Sequence, residues 1–254
     1  MAHDRGMSIL PEHLFEILAV FLAAGLVKGA LGLGLPTVSM GLLGLFMMPA
    51  QAAGLLFLPS LLTNVVQAVE GPGLRQLLRR LGPMLLACSI STVACSAILV
   101  FAEPRNSGLW LGTALLAYAV TGIMGFELRV SPRSEPFAGI VTGLLTGVVT
   151  GATGVFVLPA VPYLTGLGLE RDRLVQAMGL TFAVSTLALG LGLWAYGAFP
   201  LQSGLQSLIA IIPAALGVRL GGALRQRISP ASFRKLLFLF LAVLGVQGIW
   251  QGVA

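Results

Sequence analysis

Charge is scarce in this chain. Of its 254 residues 57% are apolar and only 9% are Asp, Glu, Lys or Arg, against about 25% charged in an ordinary soluble domain. Nine acids and fifteen bases are too few to cover a water-soluble fold of this length, and so apolar a composition excludes a disordered chain. A multi-spanning membrane protein remains. At roughly 20–25 residues per spanning helix and turn, the chain fits about ten segments and no soluble domain.

Other absences narrow the function. There are two cysteines, Cys88 and Cys95, in one apolar run. On a helix their Cα atoms lie roughly 10 Å apart, beyond disulfide reach, so both are predicted to be packed thiols. Histidine is limited to His3 and His13. No Asp or Glu falls inside a mid-membrane stretch: Glu12 and Glu16 open the first run, and Glu70 and Glu127 mark helix ends. This argues against a metal-cation pathway and against a buried carboxylate proton relay, with Glu16 read as an interfacial charge. No nucleophile–base pair, zinc spacing or phosphate loop is visible, so neither an enzyme nor a cofactor nor a metal is expected. The pI of 10.2 comes without an aromatic-rich basic surface, which excludes nucleic acid as a partner; the bases read as topology signals. The N-terminus has one basic flank, Arg5, and no small-residue cleavage site, so no removable signal peptide is expected.

What is present is glycine-interrupted hydrophobicity. The first run, 14–48, holds Lys28 as its one full charge and contains Gly25, Gly29, Gly32, Gly34 and Pro36. It is too long for one span and is predicted to form two short limbs meeting at 32–36. Runs 50–69, 81–101 and 109–126 follow, with loops at 70–80 and 102–108. After a polar break at 127–136 the pattern restarts with a second glycine- and proline-rich run, 137–168, then a charged turn at 170–173 and runs 174–196, 202–224 and 233–250.

The restart is a duplication. Gly25-Leu-Val-Lys-Gly-Ala-Leu-Gly and Gly147-Val-Val-Thr-Gly-Ala-Thr-Gly share their glycine spacing; further on Gln51-Ala-Ala-Gly-Leu-Leu-Phe matches Gln176-Ala-Met-Gly-Leu-Thr-Phe, and Ser60 matches Ser185. Two blocks in one order at nearly one offset indicate two repeats, divided as 1–128 and 129–254. Their charges fall on non-equivalent loops. Arg75, Arg79 and Arg80 follow the third segment of the first repeat, whose counterpart, 197–201, is uncharged. Arg225, Arg227, Arg234 and Lys235 follow the fourth segment of the second, whose counterpart holds only Glu103 and Arg105. The positive-inside tendency then makes the halves inverted. With 75–80 inside, Arg129, Arg133, Arg171, Arg173, Arg225 and Arg227 also lie inside and both termini outside. The expected fold is all-α and polytopic: two inverted repeats, each a broken or re-entrant hairpin plus three transmembrane helices.

Such architectures bind solutes where interrupted helices meet at mid-membrane. Free helix N-termini favour anions, and glycine lets backbone approach a ligand. The candidate wall is therefore Gly29, Gly32 and Gly34 with Gly151 and Gly154. Lys28 lies roughly 20 Å along the first helix, where a base is costly and by default functional; the alternative is a snorkelling lysine. Its repeat counterpart is Thr150. Ser60, Thr63, Asn64 and Gln67 share one helical face, and Gln176, Thr181, Ser185 and Thr186 are the second repeat's offering. Each alone reads as interhelical glue, but Asn64 and Gln67 together suit a polar cavity. Thr153, between Gly151 and Gly154, is the favoured hydroxyl. Trp110, Trp194 and Trp250 read as interfacial anchors.

The paired Gly-x3-Gly-x2-Gly blocks, the prolines after them, the QA-x-GL segment and the chain length resemble the TauE/SafE family of sulfite exporters. The resemblance spans essentially the whole chain, although the glycine runs after the third motif glycine are thinner here, at Gly32-Leu-Gly34-Leu-Pro36 and Gly154-Val-Phe-Val-Leu-Pro159. It implies a bacterial inner-membrane permease for sulfite, sulfoacetate or another organosulfonate, usually an exporter coupled to the proton or membrane potential. By position the family's glycine motifs fall on Gly25, Gly29, Gly32 and on Gly147, Gly151, Gly154. The expected partners are a small anion and membrane lipid, and a homodimer is compatible. A passive anion channel, a permease for another small anion and a non-transporting scaffold are the competing readings.

Overall fold

A computed structural model describes residues 9–198, 207–225, 227 and 229–253. Among them the chain is helical, with no strand. The helices are α1 (Ile9–Leu31), α2 (Leu35–Leu43), α3 (Pro49–Val69), α4 (Leu74–Phe101), α5 (Pro104–Ile123), α6 (Glu135–Thr153), α7 (Ala160–Gly166), α8 (Arg171–Ala195), α9 (Ile211–Leu224) and α10 (Pro230–Val253). Six are long and apolar enough to cross a membrane. The first five and the last five follow the same order: a long helix, a short one, then three more.

The interruptions fall at glycine. α1 stops where Gly32 turns left-handed (φ 78°), and α6 stops at Gly154 (φ 73°); L side chains are strained there, so glycine defines both elbows. Pro49 and Pro104 begin α3 and α5, where a missing N–H costs nothing.

Three sequence expectations change in detail. The first limb is a helix of 23 residues and only the second, α2, is short, with 9. Arg75, Arg79 and Arg80 lie on α4 rather than in a loop, because that helix starts at Leu74. The run at 202–224 is helical from Ile211; its beginning, like Arg5 and His3, lies outside the described residues.

The helices of the two series interleave. α1 packs on α9 and α6 on α4, while α3 packs on α8 and α5 on α10. Close approach requires glycine at the first two crossings. A Cβ on Gly29 would sit 2.0 Å from the Val218 carbonyl oxygen, and one on Gly147 would sit 2.4 Å from that of Cys88. Gly25 faces Ala214 as Gly29 faces Val218, so α1 and α9 run parallel; Gly147 faces Cys88 as Gly151 faces Cys95, so α6 and α4 do too. The other pairs are antiparallel. Gln67 meets Val175 while Ser60 meets Thr186, and Arg105 meets Gly252 while Gly122 meets Phe238.

Arginines gather at one end of the bundle. Arg80 pairs with Glu135 at 2.5 and 2.9 Å, tying α4 to α6, and Arg173 donates to Gln76 at 2.7 Å, tying α8 to α4. The three tryptophans lie at the other end, on the first turns of α5 and the last turns of α8 and α10; Trp194 and Trp250 are exposed there. Cys88 is buried and Cys95 half-buried, both unbridged.

Candidate functional site

At the arginine-rich end, α1, α5, α7, α8, α9 and α10 surround a cavity of about 610 Å³. Arg171, Arg225 and Arg234 line it against a single acid, Glu127. Concave surfaces carrying one sign of charge concentrate ions of the other. Leu31 and Leu33, on either side of the Gly32 elbow, and Val175 also line the cavity. So does Tyr118, which is buried and whose hydroxyl has no hydrogen-bond partner among the described residues.

Behind the elbow stands a carboxamide. Gln67 Nε2 donates to the Gly32 carbonyl at 2.9 Å and to the Val175 carbonyl at 2.7 Å. It satisfies a carbonyl left open by the end of α1 and ties α3 to α8. Gln176 answers from α8, donating to the carbonyls of Ala68 and Gly71, each at 2.7 Å. Both amide nitrogens are thus spent on backbone.

One turn deeper lies Lys28, 4% exposed. Its ammonium donates to Asn64 Oδ1; that leaves two of its three N–H groups without an acceptor among the described residues. No carboxylate pairs with it among the described residues. Asn64 Nδ2 donates to Ser60 Oγ at 3.0 Å, and Ser60 lies 3.0 Å from Thr186 Oγ1. An unpaired buried ammonium costs several kcal/mol of desolvation, and neutral hydrogen-bond acceptors recover only part of it. The site is therefore electrostatically incomplete and suited to an anion.

The remaining predicted residues stand elsewhere. Gly29 and Gly151 seat helix crossings, Gly151 against Thr92 and Cys95; the neighbouring helix, chiefly its backbone, and not open space occupies the ground before them. Gly34 caps α2 with φ 105°, and its α-carbon faces Val27 and Leu237. Gly154 rests on Met40. Thr150 and Thr153 bond back to the carbonyls of Thr146 and Val149, and Thr153 also accepts from the Val155 amide. The elbows belong to different surroundings: Gly32 abuts Val175, Gly154 abuts Met40. The predicted cluster thus divides. Lys28 and Asn64 come together with Ser60 and Thr186, Gln67 and Gln176 staple α3 to α8, and the second-half residues serve their own helix and its crossing.

Sequence reasoning missed the cavity's own side chains. The sequence marks Arg171 and Arg225 only as topology signals, although their assignment to one side already places them together. Nothing in the sequence singles out Tyr118.

A model of the family described as Sulfite exporter TauE/SafE matches residues 17–248. No curated protein and no solved structure matches the chain.

Proposed function

The chain belongs to the sulfite exporter TauE/SafE family of membrane transporters, and from that premise we propose that it is a secondary active transporter. It exports a small sulfur-containing anion, sulfite or an organosulfonate, across the bacterial cytoplasmic membrane by alternating access. The observation that carries this reading is the arginine-lined cavity, which reaches the Gly32 elbow one turn from the unpaired Lys28.

Orientation follows from charge. Eleven of the fifteen bases lie on segments at the cavity's end, so the positive-inside tendency makes that end cytoplasmic. Inversion of the halves is supported by the antiparallel packing of equivalent helices, α3 with α8 and α5 with α10. In this reading the anion collects in the vestibule through Arg171, Arg225 and Arg234 and then passes to Lys28 and Asn64. Gly32 and Gly34 supply the elbow beside them, and Gln67 and Gln176 hold that junction shut.

The test is efflux from proteoliposomes loaded with sulfite, methanesulfonate or sulfate. The expected result is saturable efflux of sulfite or a sulfonate with counterflow. Flux without saturation or counterflow would replace the carrier by a pore, and no flux of any sulfur anion would overturn the substrate class.

A further inference from the structure

The polar interior does not stop at Lys28. Ser60 and Thr186 meet where α3 crosses α8, and at the same level Ser185 Oγ lies 3.5 Å from Cys88 Sγ on α4. Cys88 Sγ lies 3.9 Å from Thr92 Oγ1, and Ser96 donates to the Thr92 carbonyl at 2.6 Å, two turns beyond Cys88. Asn64, Ser60, Ser185, Cys88, Thr92 and Ser96 are all fully buried. Asn64 to Ser60 is four residues on α3 and Cys88 to Ser96 is eight on α4. The file therefore covers about 18 Å of helix rise, against a hydrocarbon core about 30 Å thick.

Holding helices together does not require this pattern. One hydroxyl contact per crossing is enough for that, and it needs no charge. Here polar groups recur at almost every turn of one seam, and the seam begins at an ammonium with unused donors. Ser60 and Ser185, equivalent residues of the two repeats, stand at its centre. That is where repeat-built transporters hold their solutes.

We infer that this file is the route of the anion through the bundle. Its central site is at Ser60, Thr186 and Ser185, and the Cys88 thiol is part of its wall. The ligand is a small sulfur oxyanion, which accepts hydrogen bonds from the serine hydroxyls while Lys28 balances its charge. This rests on the transporter reading above and assigns it a path.

The native thiol makes the path testable. Sulfite attacks thiol reagents, so methanesulfonate serves as the transported probe, in proteoliposomes already shown to carry it. The reagent is 2-sulfonatoethyl methanethiosulfonate. The Cys88 thiol gives up its proton, its sulfur attacks the sulfenyl sulfur of the reagent, a mixed disulfide forms and methanesulfinate leaves. Peptide mass spectrometry on the unmutated protein reads Cys88 and Cys95 separately. Expected are modification of Cys88 during turnover, at least about fivefold slower with saturating methanesulfonate. Its trimethylammonium counterpart should react at least about tenfold more slowly, and modification should bring transport down at least tenfold. Cys95→Ser should transport and be blocked as the unmutated protein is, and Cys88→Ser should lose the sensitivity. A Cys88 that stays unmodified while methanesulfonate crosses, or that reacts equally with both reagents, or whose modification leaves flux intact, overturns the route. Failure of methanesulfonate, sulfite and sulfate alike to cross would instead overturn the transporter reading.

Discussion

Gly29→Ala separates a packing glycine from a ligand-facing one. Its new Cβ would lie 2.0 Å from the Val218 carbonyl oxygen and 2.8 Å from the carbonyl carbon, where an ordinary carbon–oxygen contact is about 3.3 Å. Both obstacles are backbone, so no rotamer change relieves them, and α1 and α9 must part by about 1 Å. Overpacking of this kind costs about 1–3 kcal/mol, against which alanine returns about 1 kcal/mol of helix propensity. A net loss of up to about 2 kcal/mol lowers Tm by up to about 8 °C for a chain of this size. Gly222→Ala is the control. It lies on the partner helix, α9, with nothing within 4 Å of its Cβ, so its Tm should hold or rise. Intrinsic tryptophan fluorescence during heating in detergent reads both variants, and proteoliposome efflux reads their anion preference. A Gly29→Ala protein with unchanged Tm and altered anion preference would return Gly29 to the substrate wall.

Lys28→Met should push two readouts in opposite directions. Removing an unpaired buried charge raises Tm, while transport kcat/KM falls at least about tenfold, a 1.4 kcal/mol effect; full activity with unchanged selectivity would remove Lys28 from the path. Substituting Arg171, Arg225 or Arg234 by Gln should each raise KM about threefold at low salt. The difference should shrink toward 1 M salt, where the screening length is about 3 Å; a salt-independent change would point to direct coordination instead. Gln67→Leu leaves the Gly32 carbonyl without its donor, removes the tie to Val175 and should cost about 1–3 kcal/mol in denaturation measurements. An unaffected midpoint would mean that water replaces the amide.

The architecture was legible because hydrophobic runs and glycine spacing are local. The duplicated blocks marked where α1 and α6 end, and the arginines marked which ends lie together. The division of labour among the glycines was not legible. Gly29 and Gly32 belong to one spaced motif, yet Gly29 meets α9 and Gly32 turns the chain, a difference set by a partner helix nearly two hundred residues away. Lys28 stood out by its cost, and Asn64 by its helical face. Their meeting depended on how α1 lies against α3, which periodicity does not encode. Gln67 and Gln176 carried the right chemistry for oxyanions but spend it on backbone carbonyls, among them those at the ends of α1 and α3.

The two series of helices are not packed alike, and that inequality bears on how the cavity closes. α4 lies along α8, with Ser96 against Gly192 and the Tyr196 hydroxyl donating to the Ala94 carbonyl at 3.4 Å. The equivalent pair, α9 and α3, meets only briefly among the described residues. The α4–α8 contact extends toward the tryptophan-rich end, and the slighter α9–α3 contact belongs to the arginine-rich end, where the cavity lies. If the halves exchange conformations, α9 closes on α3 at the arginine-rich end while α4 parts from α8 at the other. Substrate that favours the exchanged state can shift the population only by its differential affinity. Backbone hydrogen exchange with and without methanesulfonate reads this directly. Residues 62–69 and 216–224 should gain protection as 92–101 and 189–196 lose it. Changes of the same sign at both ends would mean general tightening or loosening, and the exchange of conformations would fall with it.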